Sequence, residues 1–345
     1  MKKLIIVLGF IPVLSIGQDI HFSQVINNPL HINPANTGGY DGYERLVLNY
    51  RSQWVTVGAP YNTFGFSFDM PVFQGKGDKA HLGLGINFFS DKAGDSRFGI
   101  SQGNISVAGI VPVDKNNRLI AGTSFGIAQR SANISSLQWE SQFNGQEWDP
   151  TLPSNEANTL NSFAYLDIAA GVRYEFTNTN SHFKGWDVRR ASVGAAYFHA
   201  NKPQLWYFSG GNETLHPKLV IHGMGEFDLP NTTFGVLPFF TYFTQGPATE
   251  VNIGTLVRME ISPGTKITGL LSESNLYFGA QMRLKDAIIP QVMYSFTSFS
   301  LGISYDINIS TLKTVSRGMG GLEVSLKYHN IKGALFKQRS GSKMF

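Results

Sequence analysis

The feature that most limits what this chain can fold into is a period of two that recurs from about residue 45 almost to the end. Side chains along a β-strand point alternately to opposite faces, so strict apolar/polar alternation describes strands with one greasy and one polar side. Phe299, Leu301, Ile303, Tyr305 and Ile307 point one way, while Ser300, Gly302, Ser304, Asp306 and Asn308 point the other. Leu322, Val324, Leu326 and Tyr328 alternate with Glu323, Ser325, Lys327 and His329, and Phe64, Phe66, Phe68 and Met70 with Gly65, Ser67 and Asp69. A further run sets Leu166, Ile168, Val172, Tyr174 and Phe176 against Tyr165, Asp167, Gly171, Arg173 and Glu175. Strands of roughly ten residues in this pattern are the signature of outer-membrane barrels.

Fourteen such segments begin near Arg45, Tyr61, Ala80, Phe98, Arg118, Asn161, Arg190, Lys218, Phe234, Thr249, Asn275, Ala287, Phe299 and Gly321. The expected fold is therefore all-β: a transmembrane, antiparallel, up-and-down barrel, its even strand number leaving both ends in the periplasm. With the first strand rising from that side, connectors 131–160, 201–217 and 309–320 face outside. Connectors 114–117, 230–233 and 297–298 are tight inside turns. Two inside connectors, 178–189 and 261–274, run longer than this pattern asks, and the second has room for a strand extension. Closure into a barrel satisfies every backbone N–H and C=O without water, which an open sheet in lipid cannot do.

A soluble sandwich or propeller would also alternate, but no repeat of about 40–50 residues marks blades. Only 15% of residues are charged, against about a quarter in an ordinary soluble domain. Arg51, Asp69, Arg173, Glu175, Glu226, Arg258, Glu260, Asp306 and Lys327 share the polar faces; a cationic side chain facing lipid would cost about 2–4 kcal/mol at mid-membrane, so these groups belong in the lumen. Tyr50, Trp54, Tyr61, Trp139, Trp148, Trp186, Trp206, Tyr207 and Tyr328 fall near strand ends or in connectors, as interface girdles do. The remaining exterior is expected to face outer-membrane lipid.

At the N-terminus, Lys2 and Lys3 precede an apolar stretch from Leu4 to Leu14, and the small residues Ser15 and Gly17 precede Gln18. This is the layout of an export signal, too short to span about 30 Å of hydrocarbon as a helix. The expected organisation is a signal peptide at 1–17, an irregular segment at 18–44, the barrel at 45–329 and a periplasmic tail at 330–345. Pro29 and Pro34 lack a backbone donor and Gly38-Gly39 permits left-handed turns, so 18–44 is expected to lie against the periplasmic mouth or to fold into the lumen as a partial plug. Arg45, Asn49, Arg51 and Gln53 share the inward face of the first strand. With Asp69, Arg173, Glu175, Arg258 and Asp306 they form a candidate lumen network of ion pairs and hydrogen bonds, ligand binding being the alternative role for the first-strand set.

Several chemistries are excluded or weak. There is no cysteine, which removes disulfides, thiolate metal sites and thiol catalysis. The formal charge is +4, two of it from Lys2 and Lys3, and no basic run is long enough to follow a phosphate backbone, so nucleic acid is not expected. Gly99-Ile-Ser-Gln-Gly103 fits the GxSxG pattern, but in an alternating strand rather than on the strand-to-helix turn that makes its serine a nucleophile. Asp91 and Asp95 around Gly94 lack the ligand periodicity of a calcium loop, and Arg317-Gly-Met-Gly-Gly321 lacks the Lys-Ser/Thr of a P-loop. No HExxH or other metal-ligand spacing is present. No enzyme, cofactor or metal is expected.

Ordered motifs then add a resemblance. His21-Phe-Ser-Gln, Asn28-Pro-Leu and Ile32-Asn-Pro-Ala-Asn-Thr-Gly38 are followed by Arg45, Asn49-Tyr-Arg-Ser-Gln-Trp54, Tyr61, Thr63 and Asp69. Gln245-Gly-Pro with Glu250 and Asn252, Lys285-Asp-Ala-Ile-Ile-Pro290, Gly302-Ile-Ser-Tyr-Asp-Ile-Asn308 and Gly320-Gly-Leu-Glu-Val-Ser-Leu326 complete the set. Over essentially the whole mature chain this resembles the PorP/SprF family of type IX secretion system proteins. The chain departs at its end, where family members often finish in a Cys-Pro-Arg-Phe-like tail and this one reads Gly-Ser-Lys-Met-Phe.

The resemblance implies a non-enzymatic outer-membrane component of that system. A SprF-like member supports secretion and surface attachment of an exported adhesin with a C-terminal sorting domain, in the setting of gliding motility. A PorP-like member docks periplasmic, peptidoglycan-associated components of the machine. A passive channel is the alternative from another class. Trp139, Phe143 and Trp148 in the longest outside connector are the candidate partner anchors, since aromatics concentrate interface energy. The alternative for them is packing of the loop on itself or on the membrane interface.

Overall fold

A computed structural model describes residues 19–55, 60–74, 79–94, 96–131, 137–155, 162–178, 187–206, 213–262, 274–311 and 313–330. Fourteen antiparallel strands close into one barrel. They are β1 (Glu44–Gln53), β2 (Tyr61–Val72), β3 (His81–Ala93), β4 (Phe98–Pro112), β5 (Asn117–Ser131), β6 (Phe163–Thr177) and β7 (Asp187–Phe198), then β10 (Lys218–Asp228), β11 (Phe234–Gln245), β12 (Ala248–Ser262), β13 (Ser274–Arg283), β14 (Ala287–Phe296), β15 (Phe299–Asn308) and β16 (Met319–Asn330). Between β7 and β10 lies a two-residue hairpin, β8 (Gln204–Leu205) with β9 (Glu213–Thr214). The seam is β1 against β16, with Arg45 opposite His329 and Arg51 opposite Glu323. The alternation thus locates all fourteen wall strands, because period two reports directly on which face meets lipid.

The outer wall carries the apolar set: Leu84, Ile86, Phe125, Leu166, Val172, Leu301, Ile303 and Leu322 are all exposed. Among the described residues no helix is long and apolar enough to cross a membrane. The proposed signal at 1–17, the tail beyond 330, Trp186, Tyr207, Asp95 and most of connectors 178–189 and 261–274 lie outside the described residues. At the barrel end where β1 starts and β16 stops, here the terminal end, turns 113–116, 229–233 and 297–298 are short. Connectors 132–162, 199–217 and 309–318 stand at the opposite end.

The centre of the barrel is filled. Residues 19–43 run inside it as short turns, at Val25–Asn27, Pro29–Ile32 and Pro34–Asn36. Pro29 and Pro34 each open a turn, where a missing N–H costs nothing. Asn33 caps the last turn by accepting from Ala35 N–H at 2.8 Å. The lumen wall is less polar than alternation alone suggests. Ala196, Val220 and Phe243 face inward against Val25 and Ile32, and Ala108, Ile110 and Ile120 against Ala35. These inward apolar residues form sockets for the segment rather than lining water. At the long-connector end, Leu205 and Leu215 pack on Ala128 and Tyr165, so the β8–β9 connector covers part of that mouth.

Candidate functional site

The site begins with how an irregular segment can press against a wall. Gly38 takes a left-handed backbone (φ +64°), and a Cβ on the facing Gly83 would lie 2.1 Å from the Thr37 carbonyl oxygen. A side chain at Gly83 would therefore push the segment off β3. Gly302 serves in the same way beneath Gln24, whose Oε1 would be 2.3 Å from an added Cβ. At Gly83 segment and wall meet backbone to backbone, whereas at Gly302 the Gln24 side chain rests on the wall.

Polar groups then hold the segment at three levels. Toward the long-connector end, Ser23 N–H donates to Glu323 at 2.5 Å and Gln24 N–H at 3.0 Å, while Ser23 Oγ donates to Asp306 at 2.6 Å. Arg51 bridges Asp306 at 2.7 Å and the His21 carbonyl oxygen, and Arg283 reaches Asp306 at 3.2 Å. Gln281 donates to the Ser23 carbonyl at 2.6 Å. In the middle, Asn33 Nδ2 donates to the Val172 carbonyl at 3.0 Å and lies 3.0 Å from His222 Nε2. Toward the terminal end, Arg45 grips Asp69 through two bonds of 2.9 and 2.8 Å, and Asp69 also accepts Gly38 N–H at 2.7 Å. Arg173 contacts Glu175 and donates to Asn36 Oδ1 at 2.9 Å and the Gly39 carbonyl at 2.7 Å.

The nine inward residues named from the sequence therefore occupy separate places. Arg51 meets Asp306, Arg45 meets Asp69, and Arg173 meets Glu175. Arg258 stands apart, paired with Glu226 at 2.5 Å and with Asp228. Asn49 is buried with its amide nitrogen unpaired among the described residues, and Gln53 is half-buried at the strand end. Sequence reasoning passed over Glu323, Arg283 and Asn33, which hold the segment as firmly as any. The available signal was Glu323's place on a polar face and Asn33's place before a proline.

It also passed over a latch at the very start of the described chain. His199, just past the end of β7, contacts Asp167 at 2.7 Å through Nδ1 and Asp19 at 2.5 Å through Nε2. Two carboxylates on both ring nitrogens are satisfied only by the doubly protonated ring. Burial alone would lower the pKa of His199, but Asp19 and Asp167 outweigh it and raise it to about 9. Burial would raise that of Asp19, but His199 and Lys218 hold the carboxyl well below its usual range. The raised imidazole contributes stability that is full below its ordinary 6.5 and is lost as pH climbs through about 9. The depressed carboxyl contributes stability present above its ordinary 3.8 and lost as pH falls below that. His199→Gln is thus expected to melt below the parent in detergent at pH 6.5, with the gap closing by pH 10; a gap that stays constant would show that the ring's charge plays no part.

Ser101, in the GxSxG run, lies within β4 and pairs with Ser90 Oγ at 2.9 Å. Lys285 and Asp286 form the β13–β14 turn, where Asp286 accepts from Arg283 at 3.0 Å. No group of three or more histidine, aspartate or glutamate side chains able to hold a metal ion occurs among the described residues.

In the long connector, Gln142 Oε1 accepts from both Trp139 N–H and Trp148 Nε1 at 3.3 Å, and Phe143 bridges to Trp148. This fold leaves Phe143 56% and Trp148 38% exposed while Trp139 is half-buried.

These features define an outer-membrane β-barrel whose lumen is occupied by its own N-terminal segment. A family model described as type IX secretion system membrane protein PorP/SprF matches residues 14–328. The chain belongs to that family, whose members are outer-membrane components of the type IX system. No curated protein matches it. Solved barrels that resemble it include BamA from Haemophilus ducreyi lacking POTRA domains 1–3 (10% identity, TM-score 0.41, covering 84% of this chain and 70% of that one). The CymD monoaromatic hydrocarbon channel gives 10% identity, a TM-score of 0.42 and coverage of 89% and 94%. The ferric enterobactin receptor PfeA of Pseudomonas aeruginosa gives 10% and 0.34, with 77% of this chain spanning only 44% of that one.

Proposed function

We propose that the protein acts by binding, not catalysis: it supports secretion and surface attachment of an exported adhesin within the type IX system. The observation that carries this reading is the occupied lumen, which leaves the rims and connectors as the working surfaces. The long-connector end faces outside in this reading, and its largest described unit, residues 137–155, offers Phe143 and Trp148 as ready contacts. Exposed aromatics held by a self-satisfied loop need little ordering on binding, and such residues concentrate interface energy. Docking of periplasmic components by the terminal end is the second role that family membership suggests, but the described turns there are short and offer less surface.

The experiment is retention of adhesin. Phe143→Ala with Trp148→Ala is expected to weaken capture of the exported partner in mild detergent by about tenfold or more, each hot-spot truncation costing over 1 kcal/mol. Barrel melting should stay unchanged, since both side chains lie off the wall. Undiminished capture and surface adhesin in the double variant would sink the proposal.

A further inference from the structure

Connectors 54–60, 246–247, 284–286 and 309–318 are neighbours in one sector of the long-connector end. Their only carboxylate is Asp286, set against the cations Lys285, Lys313 and Arg317. The Asp286 carboxylate is engaged by Arg283 at 3.0 Å, and its backbone carbonyl takes the N–H groups of Ile309 at 2.8 Å and Ser310 at 3.2 Å. Lys313 N–H donates to the Ser310 carbonyl at 2.9 Å, and the Gly318 carbonyl accepts Asn308 N–H at 3.0 Å. Connectors 284–286 and 309–318 are thus laced together, which gathers the three cations on one rim. All three are exposed, and none joins an ion pair among the described residues. Lys285 and Arg317 hold left-handed backbone, φ +65° and +53°, which glycine adopts without strain. Both turns carry a cationic side chain in spite of that.

Beside the cations lies the edge of the greasy wall, where Leu284, Ile288, Ile307, Ile309 and Met319 stand exposed. Trp54 marks the level between the two. Its N–H donates to the Gly320 carbonyl at 2.8 Å, and its ring meets Tyr61 edge-on with centroids 4.8 Å apart. Aromatic rings of this kind settle at the headgroup level of a membrane. A basic side chain at that level attracts anionic headgroups, each contributing about fivefold in affinity. We infer that this sector binds a phosphate-bearing glycolipid of the outer leaflet, its phosphates on Lys285, Lys313 and Arg317 and its acyl chains along Leu284, Ile307 and Ile309. With the long-connector end outside, the leaflet at this rim is the one built of phosphorylated glycolipid. The aliphatic edge favours a lipid over an acidic protein, which would reach the cations but leave that edge uncovered. The inference shares its orientation with the adhesin reading but none of its residues.

The probe is bisphosphorylated lipid A, titrated into nanodiscs of neutral phospholipid that hold the full-length protein, with bound lipid counted by native mass spectrometry. Lipid A is expected to bind, and its dephosphorylated form to bind about tenfold or more weakly. Lys285→Gly, Lys313→Gln and Arg317→Gly together should lose about tenfold or more of the affinity. That variant should melt close to the parent, since glycine suits both left-handed turns. Exchanging the cations for one another, Lys285→Arg, Lys313→Arg and Arg317→Lys, should keep the affinity. Leu284→Ser with Ile309→Ser leaves every charge in place and should also weaken binding, which serves if the charge-removing variant does not assemble. Equal binding of the dephosphorylated form, or unchanged binding in the charge-removing or the serine variant, would overturn the inference. So would inorganic phosphate competing as well as lipid A, since the acyl chains would then have no role. Adhesin capture is expected to match the parent in all of these variants, so this inference and the adhesin reading fail separately. Loss of capture with lipid binding intact would assign the rim to a protein instead.

Discussion

A planar bilayer holding the full-length protein is expected to stay electrically silent, whereas one holding a variant without residues 19–43 is expected to show steady openings. Eight-stranded barrels are filled by their own side chains and those of 16–18 strands leave an aqueous channel. A wall of fourteen strands falls between, and its width is taken up here by a segment with its own buried residues. Phe22, Leu30, Ala35 and Tyr40 are each no more than 6% exposed, a degree of burial that side chains bordering a water-filled pore would not reach. Removing the segment exposes the inward charges and apolar sockets together, with the β8–β9 connector still covering part of one mouth. Assembly of the variant is checked first by heat-modified migration on gels. A steady large pore in the parent would contradict the filled lumen, and silence in a correctly assembled deletion variant would show that something else closes it.

The second large effect concerns Arg51, which is 1% exposed and joins Asp306, the His21 carbonyl and, at 3.9 Å, Glu323. Arg51→Met is expected to destabilise the barrel by about 3–5 kcal/mol, because two buried carboxylates then face each other with their main counter-charge gone. Replacing both partners, Arg51→Met with Asp306→Leu, is expected to recover most of that loss. In the double variant Arg283 keeps Glu250 at 3.5 Å and Asp286 at 3.0 Å, and Glu323 keeps the N–H groups of Ser23 and Gln24. The check is a double-mutant cycle by denaturant unfolding in detergent micelles. Losses that simply add would mean the two side chains do not act as a pair.

What could be read from the residues, and what could not, follows from how local each signal is. Period two is a property of neighbouring residues, so Phe299–Asn308 identifies itself as a wall strand without knowledge of anything else. Arg45 and Asp69 are also within reach, since adjacent antiparallel strands bring inward residues directly opposite, as they are here. Arg51 and Asp306 are not: they sit on β1 and β15, with β16 between them, and only closure brings them together. The inward Phe239 and Phe243 read as breaks in the alternation of β11, because their reason lies in Val25 and Ile26, more than two hundred residues earlier. Gly83 and Gly302 look like ordinary small lumen residues until Thr37 and Gln24 are seen resting on them. The resemblance marked the right blocks, and the geometry supplies the reason several of them go together: they are the two halves of one contact.

That contact bears on how the molecule is made. Ser23 and Gln24 are held by Glu323 on the last strand, three hundred residues later in the chain. Seating the first residues and zipping the β1–β16 seam are therefore one event, governed by contacts of extreme sequence separation, which form slowly. A chain truncated before β16 has neither the edge that pairs with β1 nor the Glu323 carboxylate that takes the Ser23 and Gln24 N–H groups. The filled lumen thus doubles as a completeness check, in which an unfinished barrel leaves its N-terminal segment unhoused.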